Sequence, residues 1–309
     1  LAQWLTARSH PLTSRVMVNQ SWQRIFGLGL VRTPEDFGVQ GRQPTHPELL
    51  DWLAVQFQEQ GWDHKQLLRT MVTSRTFCQS SARRENVADV ENLLYARGPS
   101  FRLDAEVLRD VGLWASGLLD PTMGGEGVKP YQPPGMWLAM AHPGSNTKNY
   151  VADKGPRLYR RSLYVYWKRT SPHPMMTLFD APSREASCVR RSTTNTSLQA
   201  LALLNETQRI EMARTLAARL MAESDQDSQR LDRLFQILAC RPPTEAERNA
   251  CEQLLSLMLA RFGNDKKAAA ELVSYGDAPG NKKLDVVVQA AWTQVAATVL
   301  ASDVAILVY

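Results

Sequence analysis

The sequence predicts a mainly α-helical protein: a helical bundle with one long Gly/Pro-rich loop and a short strand or hairpin element near the middle. Apolar residues recur at helical spacing in the first and last thirds, whereas glycine and proline interrupt residues 121–155. With 309 residues and 44% hydrophobic content, the chain can bury a sizeable core. We expect an N-terminal helical part (1–120), a loop and strand insert that carries the candidate site (121–205), and a C-terminal bundle (206–309), folding as one cooperative domain.

A short helix is predicted from Ala2 to Arg8. The next helix begins at a hydroxyl cap, Thr13 or Ser14, and ends at Gly27 and Gly29. Its apolar positions include Trp22. Asn19 lies on a second face, in line with polar residues one turn away on either side. We therefore expect one buried face and one polar face.

The next two helices carry their own start signals. Thr45 and Glu48 have the spacing of a capping box, and Asp63 is expected to cap a helix that continues to about residue 72. His46 and His64 fall at these helix starts. A histidine there can be catalytic, but it is more often a surface or cap residue.

The helical pattern of apolar residues stops in the middle of the chain and is followed by a loop and an alternating pattern. A helix is predicted from Leu103 to Leu119, followed by the long loop, which carries aromatic side chains able to anchor it or to stack on a ligand. Alternating apolar residues from Leu163 to Trp167 then predict a strand. After Asn205 the pattern is helical again, with a capping box at Thr244 and a long apolar helix, or two, from residue 284 to 308.

Residues 157–205 are the candidate functional region. Between Lys154 and Arg191 lie nine Lys and Arg against two acids, a formal charge of +7, whereas the whole chain carries +5. Such a cluster favours an anionic partner, although each arginine could instead pair with an acid or cover apolar surface. The expected ligand-binding cations are Arg160, Arg161, Lys168, Arg169 and Arg190.

The same region contains groups that could support catalysis. Asp180 could act as general base or nucleophile, and Cys188 as a thiolate activated by Arg190 or Arg191. Thr194 and its neighbouring threonine could donate to an oxyanion. A thiol nucleophile normally needs a histidine, and His142 and His173 are the nearest in sequence.

Composition narrows the classes of function. The four cysteines form no C-x-x-C pair, so a zinc ribbon, a thioredoxin motif and a haem attachment site are not encoded. No nucleic-acid-binding motif is present, no apolar run is long enough to span a bilayer, and no cofactor is expected in this chain. The chain starts without Met or a signal peptide, which suggests a piece of a longer protein.

Several motifs in this order resemble the domain of unknown function DUF1553, found at the C-terminal end of planctomycete multi-domain proteins. The motifs are Asn19 with Trp22, Thr33 to Gly38, Pro44 to Leu53, Arg160 to Tyr164, Phe179-Asp180 with Pro182, Ser187-Cys188 with Arg191, and Gln199 to Leu201 with Leu204-Asn205. The resemblance implies a mainly helical, exported domain that follows cytochrome-c-like modules, where any haem would reside. It implies no established activity.

Three hypotheses follow from the residues. The chain is a module that binds an anionic ligand, such as a charged or sulfated polysaccharide. Alternatively it is an enzyme, a hydrolase or haem-coupled oxidoreductase on carbohydrate, using Asp180, Cys188 and Arg191. In the third, the polar motifs are purely structural. Motif residues added to the expected ligand-binding set are Asn19, His46, Thr194, Gln199 and Asn205. Convergence of the arginines on an open surface would favour binding, and a base beside Cys188 would favour catalysis.

Overall fold

The computed structural model describes residues 1–85, 87–142 and 144–308, and it confirms a mainly α-helical fold. Contacts divide the chain into two compact units. The first comprises residues 1–102, 187–191 and 307–309, and the second comprises 103–186 and 192–306. The three-part division expected from the sequence stays a prediction. Among the described residues, no helix has the length and apolar character needed to cross a membrane.

The first unit is built on two packed helices. Its helices are α1 (Ala2–Leu5), α2 (Thr13–Phe26), α3 (Pro47–Glu59), α4 (His64–Val72) and α5 (Arg75–Cys78). Val18, Trp22 and Phe26 of α2 pack with Leu53 and Phe57 of α3 in one core. The strands β1 (Phe101–Arg102) and β2 (Leu307–Val308) pair antiparallel in this unit.

The second unit is a larger helical bundle. Its helices are α6 (Ala105–Ser116), α7 (Met136–Ala139), α8 (Pro174–Leu178), α9 (Ser197–Asn205), α10 (Thr207–Glu223), α11 (Asp227–Ala239), α12 (Glu245–Asn264), α13 (Lys266–Val273), α14 (Val286–Ala301) and α15 (Asp303–Ile306). Its main core surrounds the fully buried Trp292 of α14 and includes Leu216 of α10, Phe235 of α11 and Leu255 of α12. The described residues of 121–155 contain one short helix, α7.

The strand predicted from Leu163 to Trp167 is wrong. The chain there forms two short 3-10 helices, Gly155–Tyr159 and Ser162–Tyr164, and two isolated parallel bridges, Asp120 with Arg160 and Val128 with Val165. Side chains of α6 bind polar groups just before the predicted strand. Asp110 Oδ1 accepts from the Ser162 amide at 2.8 Å, and the Arg109 guanidinium donates to the Arg160 carbonyl at 2.8 Å. Alternation of apolar residues does not mark a buried face here, since Val165 is buried and Leu163 is exposed.

Local capping signals were partly correct. Asp63 caps α4, and Thr244 with Glu247 forms the predicted capping box of α12. The box predicted at Thr45 is absent, because α3 begins one residue later, with His46 as N-cap. The Thr45 amide donates to the Leu30 carbonyl at 2.9 Å instead, which holds this residue on the preceding loop.

Candidate functional site

Three arginines line one open groove in the first unit. The groove has a volume of about 770 Å³, and its walls come from two segments of the unit. We call it the basic groove; its lining residues are Arg32, Thr33, Gly41, Arg42, Gln43 and Arg190. Arg190 was predicted to bind a ligand, whereas Arg32 and Arg42 were missed. No local pattern in the sequence indicates that Arg190 joins Arg32 and Arg42.

The loop that carries Arg32 and Arg42 is fixed by its own hydrogen bonds. Thr33 Oγ1 donates to the Asp36 carbonyl at 2.9 Å and accepts from the Arg42 amide at 2.9 Å. A Cβ at Gly41 would lie 2.1 Å from the Asp36 carbonyl oxygen, so only glycine fits this close approach. The loop therefore holds both arginines at the groove wall without using their guanidinium groups.

The charges in the basic groove are largely unneutralised. Arg32 pairs with Glu91 at 3.1 Å, and both side chains are exposed. Among the described residues, no hydrogen bond or ion pair engages the guanidinium of Arg42 or Arg190, and both residues are exposed. A guanidinium presents up to five N–H donors and no acceptor. The groove therefore offers donors and positive charge to an anion.

A second groove of about 400 Å³ is lined by another part of the segment 187–191. We call it the polar groove; its lining residues are Gln20, Ser21, Gln23, Arg24, Ser187, Cys188 and Val189. Cys188 Sγ donates to the Arg190 carbonyl at 3.3 Å. Among the described residues lining this groove there is no histidine and no carboxylate. It therefore supplies no general base for the catalytic role considered for Cys188.

Asp180 organises a turn of the second unit. Its backbone is left-handed, with φ of 62°, and its carboxylate accepts from the Thr194 amide and hydroxyl, both at 2.9 Å. Gln199 donates to Thr194 Oγ1 at 3.1 Å and to the Leu178 carbonyl at 2.8 Å. The predicted residues Asp180, Thr194 and Gln199 are thus brought together. They tie the end of α8 to the start of α9.

Arg160 is not available to a ligand, which corrects its predicted role. It is 7% exposed, and its guanidinium donates to the Thr122 and Glu126 carbonyls at 3.0 and 3.1 Å while lying 4.0 Å from the Tyr164 ring. No local pattern in the sequence indicates that loop carbonyls surround Arg160. The hydrogen bonds of its guanidinium therefore hold the long loop in place.

The other cations of the predicted cluster differ in exposure. Lys168 Nζ donates to the Thr147 carbonyl at 2.8 Å and lies 4.5 Å from the Trp137 ring. Arg161 is exposed and contacts Met123, and Arg169 is also exposed. Arg191 is half-buried in the segment 187–191 of the first unit. The dense charge of the sequence is therefore divided between the two units.

Asn19 is a structural residue and not a ligand contact. It is fully buried, and its side-chain amide pairs with both the N–H and the C=O of Val31, at 2.8 and 3.0 Å. A Cβ at Gly29 would lie 2.8 Å from that amide, which explains why glycine stands there.

Two further residues predicted to bind a ligand have local partners. His46 is half-buried, and its Nδ1 lies 3.0 Å from Thr45 Oγ1. The side-chain amide of Asn205 donates to the Leu201 carbonyl, one turn earlier in α9.

The second unit also contains a buried polar network that sequence reasoning missed. Glu211 of α10 is fully buried, and its Oε1 accepts from the Tyr159 hydroxyl at 2.9 Å and the Ala278 amide at 2.7 Å. Tyr131 contacts the same oxygen, and burial, followed by the Glu211 charge, raises the pKa of Tyr131 to about 12. These contacts bind the long loop and residue 278 to α10.

A very small cavity lies among buried ionisable groups near α6 and α10. A cavity of about 20 Å³ is lined by Arg109, His173, Glu206 and Arg209, among others, which is room for about one water molecule. Burial lowers the pKa of His173 to about 4 and raises the pKa of Glu206. The cavity is too small for a ligand. Among the described residues, no group of three or more His, Cys, Asp or Glu is placed to hold a metal ion.

Comparison with known proteins identifies the family. A sequence model of PSD1, described as a protein of unknown function (DUF1553), matches residues 1–255. The chain belongs to this family. No curated protein and no solved structure matches the chain.

Proposed function

We propose that this member of the PSD1 family is a binding module that takes an anionic ligand in the basic groove. A charged or sulfated polysaccharide is the candidate ligand. The observation that carries the proposal is the shared groove of Arg32, Arg42 and Arg190, in which two guanidinium groups have no partner among the described residues. Leaving such groups exposed gives little stability, so a role in binding accounts for their placement better than a role in folding.

The distribution of charge supports an anion at this unit. The first unit has 14 Lys and Arg against nine Asp and Glu, a formal charge of +5, whereas the second has 22 of each. The whole net charge of the chain therefore belongs to the unit that contains the basic groove. A positive surface attracts anions over about 10 Å at moderate salt.

The chemistry of arginine indicates the kind of anion. The planar guanidinium matches sulfate, phosphate or carboxylate through two parallel hydrogen bonds. The groove is open to solvent, so a segment of a longer polymer can enter it. The exported, multi-domain setting that the resemblance implies would give such a groove access to extracellular polysaccharides.

Catalysis is not part of the proposal. The carboxylate of Asp180 is engaged by Thr194, and the polar groove holds no base for Cys188 among its described residues. Asp180 belongs to the second unit, whereas Cys188 and Arg191 belong to the first.

The test compares dextran sulfate with uncharged dextran, measured by titration calorimetry at low and high salt. We expect dextran sulfate alone to bind, and binding to weaken as salt rises. The double variant Arg42→Met/Arg190→Met should lose about tenfold to a hundredfold in affinity, since a hydrogen bond to a charged group contributes about 1.5–3 kcal/mol.

Arg169→Met is the matched control, because Arg169 is an exposed arginine of the other unit. It should bind like the wild type. Equal binding of dextran and dextran sulfate, or wild-type affinity in the double variant, would refute the proposal.

A further inference from the structure

We propose that the polar groove is a second subsite for the same ligand and binds an uncharged, hydroxyl-rich unit next to the anionic unit held by the basic groove. The inference rests on the proposed function and makes the ligand more specific. It must be an acidic polysaccharide in which charged and neutral units adjoin. Gln20 and Gln23 are the expected specificity-determining residues.

The two grooves share a wall. Val189 lines the polar groove and Arg190, the next residue, lines the basic groove. Consecutive Cα atoms are about 3.8 Å apart, so the grooves meet within one residue of chain. The contact from Cys188 Sγ to the Arg190 carbonyl helps to hold this wall in place. One extended ligand can therefore occupy both grooves.

The polar groove has the chemistry that sugar hydroxyls need. A hydroxyl both donates and accepts, and glutamine and serine side chains do the same, whereas arginine only donates. Gln23 and Arg24 lie three and four residues after Gln20, about one turn further along α2, a 14-residue helix. The groove thus places mixed donors and acceptors on a rigid element.

Gln23 provides an independent observation. Its Oε1 is buried and accepts no hydrogen bond among the described residues. A buried acceptor without a donor is unfavourable, and because Gln23 lines the polar groove, rotation of its side chain towards a ligand hydroxyl removes this cost. Ser21, which also lines the groove, donates its own hydroxyl proton to the Met17 carbonyl at 2.9 Å, so its oxygen remains an acceptor.

A single-stranded nucleic acid fits these grooves less well. Such ligands bind by stacking bases on aromatic side chains along a basic groove. Among the described residues that line the two grooves, none is aromatic. The side chains favour a polyhydroxylated anion over a base-bearing one.

The test uses inorganic sulfate and a series of sulfated oligosaccharides, from a monosaccharide sulfate to a hexasaccharide with alternating neutral units. We expect affinity to rise from one unit to two or three. Gln20→Ala/Gln23→Ala should lose about tenfold to thirtyfold for the longer ligands, and nothing for sulfate. Gln56→Ala/Gln60→Ala, at the C-terminal end of α3, is the matched control and should bind like the wild type.

The outcomes separate the two proposals. If dextran sulfate and sulfate bind but affinity does not rise with length, or the Gln20/Gln23 variant keeps full affinity, the second subsite is refuted and the basic groove stands. If no sulfated ligand binds, the proposed function itself fails. Binding of an oligothymidylate as tightly as the hexasaccharide, with the same loss in the variant, would overturn the assignment to polysaccharide. Thermal unfolding of each variant checks its fold, and Gln20→Ala alone serves if the double variant is unstable.

Discussion

Three buried arginines of the second unit and two exposed arginines of the first unit have very different surroundings. In the second unit Arg109, Arg209 and Arg214 are buried, and each donates to at least one backbone carbonyl. In the first unit Arg42 and Arg190 face an open groove with no partner among the described residues. The same side chain thus cross-links segments in one unit and offers charge to solvent in the other.

Local charge density in a sequence is therefore a poor guide to the position of a binding surface. The densest cluster of cations in the sequence, residues 154–191, lies mostly in the unit whose formal charge is zero. Burial and backbone partners decide whether a cation is available. The variants below test this contrast, beginning with the largest expected effect.

Arg109→Met should cause the greatest loss. Its guanidinium donates to the Leu158 carbonyl at 2.7 Å, the Arg160 carbonyl at 2.8 Å and Gln208 Oε1 at 2.6 Å. Burial lowers the pKa of Arg109 to about 10, so it stays charged at pH 7. Removing it leaves buried acceptors unpaired, and we expect a loss of about 3–5 kcal/mol in the free energy of unfolding.

Urea denaturation of this variant measures the loss, with Arg42→Met as the control. Exposed Arg42 should change the free energy of unfolding by no more than about 0.5 kcal/mol. Equal effects of the two variants would break the contrast between the units.

The burial of His173 predicts that the stability of the protein depends on pH. Burial lowers its pKa to about 4, against 6.5 for an unfolded histidine, so the folded protein binds the proton less readily. Stability is therefore full above about pH 6.5 and falls as the pH drops towards 4, by up to roughly 3 kcal/mol. Urea denaturation between pH 7 and 4.5 should show a shallower fall for His173→Gln, and parallel curves would contradict the prediction.

Asn19→Ala tests a neutral cross-link in the first unit. The substitution leaves the N–H and C=O of Val31 without their partner, and we expect a loss of about 2 kcal/mol. Hydrogen exchange read by mass spectrometry should show faster exchange in peptides of the first unit. Unchanged protection around residues 29–31 would mean that the amide is dispensable.

Glu247→Gln should have the smallest effect, because its partners are near the surface. The Arg241 and Thr244 side chains and the Thr244 amide hold the pKa of Glu247 at about 2. Its contribution is therefore present above about pH 4.5 and disappears as the pH falls towards 2. Urea denaturation at pH 7 should show a loss of at most about 1 kcal/mol; a loss as large as that of Arg109→Met would show that burial is not the deciding factor.

Some elements could be predicted from sequence because their signals are local. The cap at Asp63 and the box at Thr244 and Glu247 depend on residues within one turn. The prediction of a strand at residues 163–167 is wrong because the Tyr164 and Val165 amides donate to the Arg161 and Ser162 carbonyls in a 3-10 turn, and the pairing with Val128 is a single bridge. The basic groove could be predicted only in part, because Arg32 and Arg190 are far apart in the chain.

Local patterns in the sequence are enough to predict the mainly helical fold, some helix starts and the family, because apolar spacing and caps act over a few residues. Tertiary structure alone decided which arginines are exposed. Desolvation of a charge depends on segments brought in from elsewhere in the chain, as when loop carbonyls enclose Arg160 while Arg190 joins Arg32 and Arg42 at an open groove.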